Sequence, residues 1–167
     1  MGYTTTFTGK ATIDPPLNPQ EISYLRAFTS TRRMDRTRGP YVIDGSGSFG
    51  QGYDKDITNY NGPPDGQPEL WCNWIPTDDG TALVWNGAEK FYGAASWMAY
   101  LVDTFLKPDA SLAAELHAPV VGRTYPPQFE GFTFDHRVDG VITAQGEEPD
   151  DRWEIRVRDN TVVAVDL

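Results

Sequence analysis

Four arginines, Arg32, Arg33, Arg36 and Arg38, fall within the short run TSTRRMDRTRG, and a glycine-rich stretch, GSGSFG at 45–50, follows soon after. Guanidinium groups clamp phosphates and carboxylates through paired hydrogen bonds, and glycine-rich loops let backbone amides approach phosphate oxygens. With Tyr41, Phe49 or Tyr53 to stack a base, the segment holds the parts of a site for a nucleotide-like or other anionic small molecule. A plainer reading stands beside it. The arginines follow a predicted helix, where cations complement the C-terminal dipole, and the chain offers 24 acidic residues to pair with them. The letters G-x-G-x-x-G at 45–50 do not open a helix, because Gln51-Gly52-Tyr53-Asp54 continues as loop. No lysine strand or HRD-type sequence follows, so a kinase loop is not indicated either.

Nucleophilic chemistry would have to come from Cys72, the only cysteine, with His117 or His136 as base. Cys72 sits between Trp71 and Trp74 on a predicted strand, a setting that buries a thiol rather than activating it. The acidic turn Glu147, Glu148, Asp150, Asp151 lacks the spaced ligands and glycine of a calcium loop, and Asp54 and Asp56 near Asn59 and Asn61 are discounted likewise. No His/Cys spacing suggests zinc, so no metal, cofactor or catalytic residue is assigned.

The elements that position these groups are marked unevenly. The segment Thr4 to Ile13 reads as a strand ending in Asp14-Pro15-Pro16. A helix start follows: Leu17 as staple, Asn18 as N-cap, Pro19 at the first helical position and Glu21 closing a capping box. Ile22, Tyr24, Leu25 and Phe28 form its apolar stripe. A short strand is expected at Pro40 to Ile43. The stretch from Leu70 to Trp85 reads as a hairpin around Pro76-Thr77-Asp78-Asp79-Gly80. Trp71, Asn73 and Ile75 face one way and Leu70, Cys72 and Trp74 the other, and with apolar residues on both faces an inner strand of a covered sheet is predicted. A second helix carries Ala94, Ala95, Met98, Leu101, Val102 and Phe105 and closes at Pro108. SLAAELH can add a short helix, and Val138–Gln145, Trp153–Arg158 and Thr161–Val165 finish the chain as an antiparallel meander with one wet face. The order predicts an α+β fold: an antiparallel sheet of about five to seven strands with two main helices on one face. That is a ferredoxin-like βαββαβ core with a C-terminal hairpin extension. Residues 1–167 are expected to form one compact domain with long loops at about 31–68 and 109–132.

Composition narrows the partners. A net charge of -10 argues against direct nucleic acid binding, and no apolar run reaches the roughly 20 residues of a membrane span. The start, MGYTTTFTGK, lacks the basic and apolar regions of a secretion signal, and one cysteine fits a reducing compartment, so a cytoplasmic protein is expected.

Three stretches together, TTTFTGKATIDPPLNPQEISYLRAF, ELWCNWIPTDDGTALVWNGAEKFY and VITAQGEEPDD with VRDNTVVAV, resemble small uncharacterised proteins carried by bacteria and their phages. The resemblance implies no catalytic residues and suggests a phage accessory protein acting inside a host cell. The leading expectation is therefore a non-enzymatic interaction protein that binds a host or phage protein. A binder of a phosphate-bearing or anionic small molecule is the alternative, and a hydrolytic enzyme the weakest. Homo-oligomerisation through the exposed edge of the C-terminal meander is left open.

Overall fold

Strand β1 (Thr6–Asp14) ends at a pair of prolines, and the chain turns almost at once into helix α1 (Pro19–Thr29). The start of α1 is the predicted capping box: Asn18 Oδ1 accepts from the Glu21 backbone N–H at 3.0 Å, and Glu21 Oε1 accepts from the Asn18 N–H at 2.9 Å. The computed structural model describes residues 2–44 and 54–167, so the GSGSFG stretch, Phe49 and Tyr53 lie outside the described residues.

A small two-stranded sheet, β2 (Asp35–Arg36) with β3 (Ile57–Asn59), follows α1. Strands β4 (Trp74–Pro76) and β5 (Ala82–Trp85) make the predicted hairpin, and α2 (Ala94–Leu101) runs on into a π-helical turn, Val102–Leu106. Helix α3 (Ser111–His117) and a 3-10 turn, Pro127–Gly131, order much of the second excursion. The meander β6 (Arg137–Gln145), β7 (Arg152–Arg158) and β8 (Thr161–Asp166) closes the chain.

The main sheet is antiparallel, with order β4-β5-β1-β6-β7-β8. Its first four strands have the order of a βαββαβ unit, and β7 and β8 are the added hairpin, so the α+β architecture is the one the sequence predicts. The sheet buries Phe7, Ala11, Ile13, Val138, Ile142 and Ile155 against Tyr24, Leu25 and Phe28 of α1 and Trp97, Met98 and Leu101 of α2. Phe7 meets Trp74, Trp85, Phe91 and Trp153 edge-on at 5.4, 5.6, 5.6 and 5.9 Å between ring centroids. Such pairs add about 0.5–1.5 kcal/mol each beyond area burial.

The sheet curls, because α2 contacts both of its edge strands, β4 and β8. Two glycines facing the β1–β6 ladder permit it. A Cβ on Gly140 would stand 2.3 Å from the Lys10 carbonyl oxygen, and Gly9 takes φ +113° with the Val141 carbonyl oxygen 2.6 Å from where its Cβ would lie. Only glycine allows that approach and that backbone.

Two expectations are corrected. No strand forms at Pro40 to Ile43; the carbonyls of Pro40 and Val42 accept instead from the Arg33 guanidinium, at 2.8 and 2.9 Å. Strand β4 is not an inner strand but an edge strand, three residues long, because the backbone ahead of it is drawn away: the Arg33 N–H donates to the Leu70 carbonyl at 2.7 Å.

Candidate functional site

The four arginines do not share one point: Arg36 and Arg38 meet at Asp56, while Arg33 and Arg32 reach separate partners. Arg33 is buried: Nη1 and Nη2 bind the Val42 and Pro40 carbonyls, Nε donates to Gln67 Oε1 at 3.3 Å, and the guanidinium carbon lies 4.0 Å from the centroid of the Phe28 ring. Its compensation is carbonyl dipoles and a ring face. Burial lowers its pKa below the usual guanidinium range, but an arginine stays charged. Arg36, also buried, lies 3.4 Å from Asp54 and 3.6 Å from Asp56. Arg38 binds Asp56 at 3.0 Å and Asp44 at 3.1 Å, while Arg32 reaches the Tyr60 carbonyl. Burial alone would raise the Asp56 carboxyl, but hydrogen bonds from Thr37 and Arg38 hold it below its ordinary value. The four side chains thus brace the 31–44 and 54–68 segments against one another. Tyr41 turns into the core beside Phe129, its ring centroid 5.5 Å away, and burial drives its hydroxyl pKa up.

The other chemical groups have structural partners too. Cys72 is fully buried, and burial pushes its thiol up to about 12. His136 does meet a carboxylate, Glu21, at 2.7 Å from Nε2, but both groups are buried and Nδ1 donates to the Pro15 carbonyl at 2.6 Å. An oxygen faces each ring nitrogen, Pro15 at Nδ1 and Glu21 at Nε2, an arrangement that favours the charged form. Burial works against that charge, but the Glu21 and Pro15 hydrogen bonds outweigh it and raise the pKa. The pair ties the start of α1 to the start of β6. His117 is exposed at the end of α3. The acidic turn holds the N-terminal segment: Glu147 accepts from the Thr4 N–H at 2.7 Å and Asp151 from the Tyr3 hydroxyl at 2.5 Å. Among the described residues no group of three or more His, Cys, Asp or Glu side chains is placed to hold a metal ion, and no helix is long and apolar enough to cross a membrane.

An apolar hollow lies elsewhere, at the β4 edge of the sheet. A groove of about 890 Å³ is lined by Trp71, Asn73 and Ile75 leading into and along β4, by Arg26, Thr29 and Ser30 at the end of α1, and by the loop Asn86 to Lys90 after β5. A hollow of about 300 Å³ continues it past Glu69, Leu70 and Tyr92, sharing Trp71, Glu89 and Lys90 as walls. Strand alternation is the cause: Cys72 and Trp74 go into the core, so Trp71, Asn73 and Ile75 must present to the other side.

The walls are fixed. The Trp74 indole N–H donates to the Ala94 carbonyl at 2.8 Å, tying β4 to the first turn of α2, and Thr29 Oγ1 donates to the Trp74 carbonyl at 2.9 Å, tying it to α1. On the far side, the Asn86 N–H donates to the Asn73 carbonyl at 3.0 Å, and the Trp85 indole to the Ala88 carbonyl at 3.1 Å. In the β4–β5 turn, Asp79 accepts from the Thr81 hydroxyl and N–H and from the Thr77 hydroxyl, which hold its carboxyl down at about 2. The groove is preformed, with Arg26, Glu89 and Lys90 at its rim.

One polar side chain of the groove has a donor that faces solvent rather than the protein. Asn73 is 5% exposed, and its Oδ1 accepts from Asn86 Nδ2 at 3.3 Å, but its own Nδ2 has no partner among the described residues. The groove was not among the sites expected from sequence. Its signal was present, an amide between Trp71 and Ile75 at strand spacing, but the assumption of a covered strand hid it.

No family model matches this chain, and neither a curated protein nor a solved structure matches it.

Proposed function

We propose that this protein is a non-catalytic binding protein that holds an extended segment of a partner protein in the groove along β4. The observation that carries the reading is the row Trp71, Asn73, Ile75: two apolar side chains flanking an amide whose Nδ2 makes no hydrogen bond among the described residues, in a preformed groove. An extended peptide repeats at the same two-residue period, so its alternate side chains can rest on Trp71 and Ile75 while a main-chain carbonyl accepts from Asn73 Nδ2. Rim charges of both signs favour a protein segment over a polyanion. The arginine cluster speaks for the groove rather than against it, because its guanidinium groups have carbonyl and carboxylate partners within the fold. Cys72 and His136 are likewise occupied in packing the core. The resemblance to phage-borne proteins favours a partner inside a bacterial host.

Panning a library of random linear peptides against the purified protein tests this. Sequences with apolar residues at alternate positions should be enriched, and the enrichment should vanish on the Trp71→Ala protein. Absence of enrichment, or the same enrichment on Trp71→Ala, overturns the reading.

A further inference from the structure

The two edges of the six-stranded sheet are finished differently. At β4 the backbone groups facing away from β5 belong to Trp74 and Pro76, because Asn73 and Thr77 bond inward to Asn86 and Ala82. The Trp74 carbonyl there is taken by Thr29 Oγ1, and Pro76 has no N–H to offer. That edge is closed to strand addition.

At β8, α2 lies against the strand, but among the described residues no side chain bonds to its outward backbone groups. The Leu167 N–H donates to the Arg152 carbonyl at 3.0 Å, which fixes the phase of the β7–β8 ladder. Residues 161, 163, 165 and 167 therefore bond inward, and the backbone of Val162, Ala164 and Asp166 faces out along the edge. The strand, TVVAVD, carries no proline, lysine or glycine. Val163 is 50% exposed, and it shares the outer face with Val141, Arg156 and Val165, around a shallow hollow. Four of its six residues are apolar, and its one charge, Asp166, stands at the end, so the run Val162 to Val165 is a template for another strand.

We infer that β8 pairs with β8 of a second copy of this chain, antiparallel about a two-fold axis at Ala164, to join the two sheets into one. The register is self-complementary. It sets Val162 opposite Asp166 of the second copy and Ala164 opposite its own equivalent, so each outward N–H and carbonyl of the edge meets a partner. On the outer face it sets Val163 beside Val165 of the second copy, a cross-strand apolar pair that occurs twice by symmetry. Charges fit as well. Arg156 lies beside Val163 and Glu154 beside Val165, so each row across the junction runs from arginine to glutamate and no like charges oppose. The β4 groove is at the opposite edge, so a dimer would present two copies of it facing away from the junction.

The test is sedimentation equilibrium on the full chain from about 10 μM to about 1 mM, the range suited to an interface smaller than standard size. The expected result is a concentration-dependent doubling of mass. In Val163→Lys/Val165→Lys each lysine faces a lysine, and the doubling should be lost. In Val163→Lys/Val165→Glu each lysine faces a glutamate, and it should return; this variant shares the first substitution and so also reports on folding. A wild-type mass of one chain at all concentrations overturns the inference. So does a double-lysine variant that dimerises like the wild type, or a lysine/glutamate variant that stays monomeric while the wild type dimerises.

Discussion

Asn86 Nδ2 donates to Asn73 Oδ1 at 3.3 Å, and this one bond orients the Asn73 amide so that its remaining donor is left for something outside the fold. Replacing Asn73 by Leu should cost little stability, because Asn86 is exposed and its amide can turn to water. It should weaken a peptide selected on the groove about tenfold, the worth of one hydrogen bond of roughly 1.4 kcal/mol. Calorimetric titration beside a thermal melt separates the two effects. Equal affinity would mean that the Asn73 donor takes no part in recognition.

Arg33 and Arg32 are neighbours in sequence and opposites in role. Arg33→Ala would leave the Val42 carbonyl and Gln67 Oε1 without a donor and empty the space over Phe28, a loss of about 3 kcal/mol. Arg32→Ala gives up only long contacts to the Tyr60 carbonyl and should cost under about 1 kcal/mol. Urea unfolding of the two variants should show this gap; equal midpoints would contradict the bracing role of Arg33.

The buried pair of His136 and Glu21 makes stability depend on pH in a stated direction. The folded-state pKa of His136 is raised above its ordinary value of about 6.5, so its stabilising contribution is complete below that pH. It is lost as pH rises through the raised pKa. Unfolding free energy measured across this interval should fall for the wild type and stay flatter for His136→Asn. A wild-type curve that rises there would show that the ring is neutral in the folded state.

Much of the fold was legible because local and global signals agreed. The Asn18 capping box, the alternation of Trp153 to Arg158 and the two-residue Asp159-Asn160 turn, with positive φ at both positions, each specify one structure. The candidate site was harder to read. Whether Trp71 and Ile75 face protein or solvent depends on which strand ends the sheet, and that is set by the β4-β5-β1-β6 order rather than by residues near Trp71. The partners of the arginines are hidden for a related reason: side chains that serve a ligand and side chains that bind protein groups some thirty positions away look alike in a linear sequence. Arg33 is such a case, reaching Gln67 across the 31–44 segment.

The central claim is that the protein binds an extended peptide on Trp71. Its most direct measurement is titration of a peptide selected on the wild-type protein into wild type, Trp71→Ala and, as a control on another half-buried tryptophan, Trp153→Phe. The account predicts that Trp71→Ala loses about 30-fold or more in affinity, as an aromatic anchor should, with a melting temperature within about 5 °C of the wild type, while Trp153→Phe binds unchanged. Undiminished binding by a folded Trp71→Ala protein would contradict it.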